Sequence, residues 1–175
     1  MRYEIRMGGT GGQGIILAGV ILAEAVSMYE DKNVVQTASY GPESRGGYSK
    51  VDIVVSDDEI DYPKALNVDL FVAMAQDAVD KFSKGIRASG TVVIDEDMVY
   101  SPPLGQFEVV KAPITRSAVE KVGKAVTANM VALGVISKVS GIVSFSSLEK
   151  AVLSRVPKGT EEINKKALEV GYNLL

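Results

Sequence analysis

Apolar and polar residues alternate from the start of the chain, with Tyr3, Ile5 and Met7 on one side and Arg2, Glu4 and Arg6 on the other. A period of two predicts a strand. It runs into Met7-Gly8-Gly9-Thr10-Gly11-Gly12-Gln13-Gly14, after which Ile15 to Tyr29 is apolar on nearly every side. That pattern predicts a helix buried between the sheet and other structure, part of which another chain can supply. Val34 to Tyr40 reads as a second strand. In Tyr48 to Ser56, Val51, Ile53 and Val55 share one face and Lys50 and Asp52 the other. This predicts a half-exposed strand antiparallel to its neighbour, and therefore a mixed sheet.

Asp57 to Asp61 is an acidic turn, and Pro63 to Asn67 a short connection or helical turn. Asp69 to Ala75 is apolar after its first residue, as a central strand covered on both faces would be, and Gln76 and Asp77 stand at its C-terminal end, where ligands of open α/β sheets gather. A short helix over Asp77 to Lys84 stops at Gly85; Thr91 to Ile94 and, after Ser101-Pro102-Pro103, Phe107 to Ala112 predict two more strands. The last third reads as helices: Thr127 to Val139, halted by Gly141; one opened by a Ser146/Glu149 capping box; and Thr160 to Tyr172. These helices pack on the sheet's outer layer or on a neighbouring subunit. The expectation is an α/β fold, a three-layer Rossmann-like sandwich with a mostly parallel, mixed sheet and a helical C-terminal third, residues 1–175 forming a single domain.

Composition narrows the chemistry. The chain has no Cys and no His, so disulfides, thiolate nucleophiles, cluster-ligating thiolates and the usual neutral-pH acid–base group are all missing. That shifts the reading from an autonomous catalyst towards a binding subunit. A net charge of -3 without a basic run gives no field for nucleic acid. The longest apolar run, Ile15 to Ala23, falls far short of the roughly 20 residues that cross a bilayer. With a strand pattern already present at Met1 there is no room for a signal peptide, and a cytoplasmic location follows.

Two loops are candidates for a site. Gly9, Gly11 and Gly14 fit G-x-G-x-x-G between strand and helix. The amides of this loop, Gly12 and Gln13 included, are expected to point outward, backed by the positive end of the helix, and to form a site for phosphate or carboxylate. NAD(P) binding also requires an acid at the end of the second strand. Ala38-Ser39-Tyr40 has none, and Glu30 and Asp31 lie at the opposite edge. NAD(P), a structural tight turn, another phosphate-bearing ligand and a partner's backbone stay open. The second loop, Tyr40-Gly41-Pro42-Glu43-Ser44-Arg45-Gly46-Gly47-Tyr48, follows the second strand at the same edge as the first, so the two are expected to be able to meet over one ligand or one partner. It is either a surface hairpin with a solvated Arg45 or a functional loop. In the second case Arg45 grips a phosphate or carboxylate, and Glu43 pairs with Arg45 or with a partner's cation. Asn129-Met130 is a third contributor, with capping and core packing as the competing roles. Lys166 and Tyr172 read as surface residues.

Three segments in order, Gly9-Thr10-Gly11-Gly12-Gln13-Gly14, Tyr40-Gly41-Pro42-Glu43-Ser44-Arg45-Gly46-Gly47 and Asn129-Met130-Val131-Ala132-Leu133-Gly134, resemble the markers of the gamma subunit, or gamma domain, of 2-oxoacid:ferredoxin oxidoreductases. The likeness extends to the closing Asn164 to Tyr172. It implies oxidative decarboxylation of a 2-oxoacid to an acyl-CoA with ferredoxin as electron acceptor. Thiamine diphosphate, Mg and iron–sulfur clusters would be held by alpha, beta and ferredoxin-like delta subunits. This chain would supply no catalytic group and hold no cofactor alone; it would complete the assembly and offer the glycine loops to coenzyme A. Self-association of the isolated chain is allowed. The Gly-Pro-Glu-Ser-Arg-Gly-Gly loop looks most like 2-oxoglutarate forms, and pyruvate, branched-chain and indolepyruvate forms share the motifs. The alternative is a free-standing nucleotide-binding protein using the Gly9–Gly14 loop alone.

Overall fold

The computed structural model describes residues 1–41 and 47–175. The first alternating segment is β1 (Arg2–Thr10), but both of its faces are covered: Ile5 and Met7 are 0% exposed on one, Glu4 and Arg6 only 4% and 7% on the other. β1 lies inside a six-stranded sheet of order β2-β3-β1-β4-β5-β6, with β2 at Asn33–Tyr40, β3 at Tyr48–Ser56, β4 at Val68–Ala73, β5 at Ile86–Asp95 and β6 at Glu108–Ala112. β1, β4, β5 and β6 run parallel, and β3 is antiparallel to both β1 and β2. The mixed sheet is as expected. The half-exposed β3 is not: flanked by two strands and covered above and below, it is buried from Val51 to Ser56. Its polar Asp52 tolerates this because Arg6 pairs with it.

On the Ile5 face sit α1 (Ile15–Tyr29), α4 (Ala128–Ser140), α5 (Phe145–Arg155) and α6 (Glu161–Tyr172), α1 packing on α5 and α4 on α6. All three C-terminal helices therefore pack within the chain. α4 is the inner one, buried from Ala128 to Ser137. Its close approach to α6 depends on Gly171, where a Cβ would stand 2.7 Å from the Val131 carbonyl carbon. The other face has a thinner cover: α2 (Gln76–Phe82) and the segments holding Ala65 and Val99 close over Val54, Phe71, Val92 and Ile94. Here polar groups do part of the holding. Arg6 donates to both Asp52 oxygens, at 2.8 and 3.3 Å, and to the carbonyls of Ala65, Phe82 and Lys84. Glu4 accepts from Asn67 N at 2.7 Å and from Arg2 Nε at 2.8 Å. Buried ions of this kind persist because their hydrogen bonds are filled.

Several local expectations shift. Of the two possibilities for 63–67, the structure takes the connection and not the helical turn. β5 begins at Ile86, well before Thr91, because Val68 pairs with Ile86; a register shift then takes up 87–90 before Leu70 pairs with Thr91. The cap of α5 is Ser144, not Ser146: Ser144 Oγ accepts from Ser147 N at 3.1 Å, and Phe145 is already helical, its ring edge-on to Tyr172 at 5.3 Å. Tyr172 is accordingly half-buried between Phe145 and the Lys138 ammonium. α3 (Ile114–Ser117) runs on as a π-helical turn over Ala118–Val122, which the sequence pattern does not reveal.

Candidate functional site

β1 ends at Thr10, and the chain turns through Gly11 and Gly12 into α1. Gly12 and Gly14 have φ of +85° and +71°, a region costly to residues with a Cβ. Gly14 caps α1, and its carbonyl accepts from Ala18 N at 3.0 Å. Gly9 has a different task, since a Cβ there would stand 2.9 Å from Ile15 Cγ1, so its absence lets the helix seat on the strand.

The loop amides do not all point outward as expected. Thr10 N donates to Gln13 Oε1 at 2.7 Å, Gly11 N to Gly47 O at 2.5 Å, and Gln13 N to Thr10 O at 3.3 Å. Among the described residues, the amides of Gly12 and Gly14 have no protein acceptor. A short loop crossing between a strand and a helix satisfies its backbone internally first. Gln13 acts as the latch, its Nε2 donating to Met74 O at 2.9 Å just beyond β4.

The structure brings three of the sequence candidates together. Gly11 is bonded to Gly47, so the first glycine loop touches the end of the second, and Gly41 N closes the base of the second on Tyr48 O at 2.7 Å. Pro42, Glu43, Ser44, Arg45 and Gly46 fall outside the described residues. Asn129, 5% exposed at the start of α4, donates from Nδ2 to Gly14 O at 3.2 Å and accepts from Met130 N at 2.9 Å. It does not cap α4, whose N-cap is Thr127; its side chain instead ties the first turn of α4 to the glycine loop. Glu30 is remote from this edge and accepts from Ser144 N.

Gly11, Gly12 and Gln13 form one wall of a cleft of about 410 Å³, faced by Met98, Thr115, Val126 and Ala128. Met98 and Thr115 on the far wall were not foreseen, although Gln76, which holds their side of the cleft, was placed at this edge. Gln76 Oε1 accepts from Tyr100 N and Ser101 N at 3.0 and 2.9 Å and so holds the β5–β6 loop. Thr115 is held by Asp95, fully buried at the end of β5, whose Oδ2 accepts from Thr115 N at 3.0 Å and Oγ1 at 2.5 Å. Burial pushes the Asp95 carboxyl above its ordinary value, although the Thr115 bonds pull the other way. A carboxylate directly after Val92-Val93-Ile94 is the signal that could have marked it. Leu17 and Val126 also border an adjoining apolar groove of about 220 Å³ towards Ile163. Among the described residues, the cleft is lined by no titratable side chain and shows no acid–base or nucleophilic constellation.

The Rossmann-like α/β fold thus carries, at the C-terminal edge of its sheet, a strand–glycine–helix crossing tied to a second glycine loop and to an Asn at a helix start. The chain belongs to the pyruvate ferredoxin/flavodoxin oxidoreductase family, whose model matches residues 4–174. It is 48% identical to the 2-oxoglutarate synthase subunit KorC of Methanocaldococcus jannaschii, over 99% of this chain and 94% of that protein. The gamma subunit of a keto/oxoacid ferredoxin oxidoreductase from Geobacter sulfurreducens superposes with a TM-score of 0.91 at 44% identity, covering 99% of this chain and 96% of that one. A 2-oxoglutarate:ferredoxin oxidoreductase from Magnetococcus marinus, with 2-oxoglutarate, coenzyme A and succinyl-CoA bound, contains the same fold in 31% of its length, with a TM-score of 0.87 at 22% identity. No helix among the described residues is long and apolar enough to cross a membrane.

Proposed function

We propose that this chain is the gamma subunit of a 2-oxoacid:ferredoxin oxidoreductase acting on 2-oxoglutarate, working as one domain in the cytoplasm. It contributes no catalytic side chain. Thiamine diphosphate, Mg and the iron–sulfur clusters belong to alpha, beta and delta partners, which pass electrons to ferredoxin; a chain without Cys or His does not fit a cluster. The observation that carries this reading is the joining of the three marker segments at one sheet edge, through Gly11 N to Gly47 O and Asn129 Nδ2 to Gly14 O. In this reading that edge faces the partner subunits and coenzyme A, with the Gly12 and Gly14 amides and the cleft beside them as the open surface. The internal use of the Thr10, Gly11 and Gln13 amides counts against a free-standing nucleotide site, because few donors remain for a pyrophosphate.

Reconstitution tests it. The chain alone should oxidise no 2-oxoacid with ferredoxin or a viologen dye. Adding it to the remaining subunits should restore coenzyme A-dependent turnover of 2-oxoglutarate over pyruvate. Turnover by the lone chain, or full activity of the complex without it, rules the subunit reading out.

A further inference from the structure

The sheet has two unlike edges. β6 is five residues long and carries Glu108 and Lys111, the short, charged form that discourages further strand pairing. β2 is the opposite case. Its eight residues, Asn33-Val34-Val35-Gln36-Thr37-Ala38-Ser39-Tyr40, include no charge and no proline, pair with β3 in an unbroken register, and have no neighbour on their outer side among the described residues. Thr37 to Tyr40 are exposed. A straight, neutral, uncovered edge is a template for another strand. The α1 helix adds an apolar flank. Ile16, Val20 and Ala23 form one stripe of the helix, offset from the face buried by Ile15, Gly19, Leu22 and Val26, and remain only half-buried. Gly19 lies against Val51 of β3, so α1 sits over the β3 side of the sheet and also packs on β2.

We propose that β2 is the seam at which a second copy of this chain adds, strand against strand in antiparallel order, to give one continuous twelve-stranded sheet, twice the six strands of one chain. A two-fold axis perpendicular to the sheet keeps the α1 faces of both copies on the same side, so both apolar stripes flank the same seam. Residues directly opposite one another must point to one face. The register that satisfies this with Thr37 opposite its own counterpart sets Val35 against Ser39, Gln36 against Ala38 and Val34 against Tyr40. No pair is charged, and β-branched or aromatic residues meet small or polar ones. The occupant is a second copy because the seam is self-complementary in charge, direction and apolar flank. The inference does not depend on the substrate or on the assignment to an oxidoreductase complex.

Light scattering on the full chain decides it. The parent should show twice the 18.6 kDa of one chain. Thr37→Lys places two like charges face to face across the axis, while inside its own sheet the new ammonium lies beside Asp52, the β3 residue opposite position 37. It should halve the mass with the circular dichroism spectrum unchanged. Ser39→Glu, opposite Lys50, should do the same, and Thr37→Val should remain dimeric. A parent that stays monomeric at high micromolar concentration, or a Thr37→Lys variant that is folded and still dimeric, overturns the proposal. A monomeric parent whose β2 amides become protected from hydrogen exchange only in the reconstituted complex assigns the edge to a different subunit and equally overturns it.

Discussion

The side-chain amide of Asn129 donates to the carbonyl of Gly14 across 3.2 Å, linking the start of α4 to the start of α1 between residues 115 apart in sequence. Two helix N-termini are thereby fixed at the same sheet edge as the glycine loops. Gly14 is required twice, by its φ of +71° and by the space the Asn occupies: a Cβ there would stand 3.0 Å from Asn129 Cγ.

Gly14→Ala should therefore cost about 1–2 kcal/mol for the left-handed backbone, and more for the collision. Asn129→Ala removes the second part, together with a hydrogen bond worth about 1 kcal/mol. Chemical denaturation of the two single variants and the double variant should give less than the sum of the single losses. Strict additivity would mean that the two residues do not press on one another.

Arg6 holds Asp52, and with it the connection at Ala65 and the end of α2. Replacing it by Ala leaves the buried Asp52 carboxylate with Lys50 alone, 3.4 Å away, for which a loss of about 3 kcal/mol, the low end for a buried pair broken at one partner, is expected. Asp52→Asn in the same background should recover part of that loss, since the under-compensated charge goes with it. If Arg6→Ala melts with the parent, the thinner face of the sheet does not rely on this ion.

Asp95 gives a pH signature. A carboxyl whose native pKa is raised holds its proton more tightly when folded, so the stability it adds is full on the acid side and declines as pH rises from the ordinary carboxylate range through the raised value. Asp95→Asn does not titrate. The melting temperature of the parent should consequently fall relative to this variant across that window and run parallel above it. A difference that grows in the parent's favour instead would mean that the Thr115 bonds outweigh the cost of burial.

Arg45, proposed as a charge at a surface closed by ligand or partner, should be nearly silent in the isolated chain, within about 0.5 kcal/mol of stability. In the reconstituted enzyme, Arg45→Ala should weaken subunit assembly or raise the apparent KM for coenzyme A, a loss of about 2–5 kcal/mol of binding. Lys should not repair it, because the forked geometry is gone. Variants that assemble and turn over like the parent would make Arg45 a bystander.

Much of the architecture is local and so legible in sequence. The turn at Gly11–Gly14 is demanded by positive φ, the end of α4 by Gly141, and β4 by its continuous apolar run, whereas α2 ends at Phe82, ahead of Gly85. The absence of Cys and His decides which chemistry the chain lacks, and the three marker segments point to the family in which it falls. What the tertiary structure decided is what each polar residue does once the strands are ordered. Glu4, Arg6 and Asp52 alternate like solvent-facing positions, yet β3 stands beside β1, so the charges meet one another and are buried. The glycine-loop amides looked free in sequence, but Gly47 O takes the amide of Gly11, Gln13 Oε1 that of Thr10 and Thr10 O that of Gln13. Asp95 gave no periodic signal and acquires its role only where α3 begins against the end of β5. Periodicity reports which face of an element is apolar; strand order, which depends on packing between distant segments, decides whether the other face meets water.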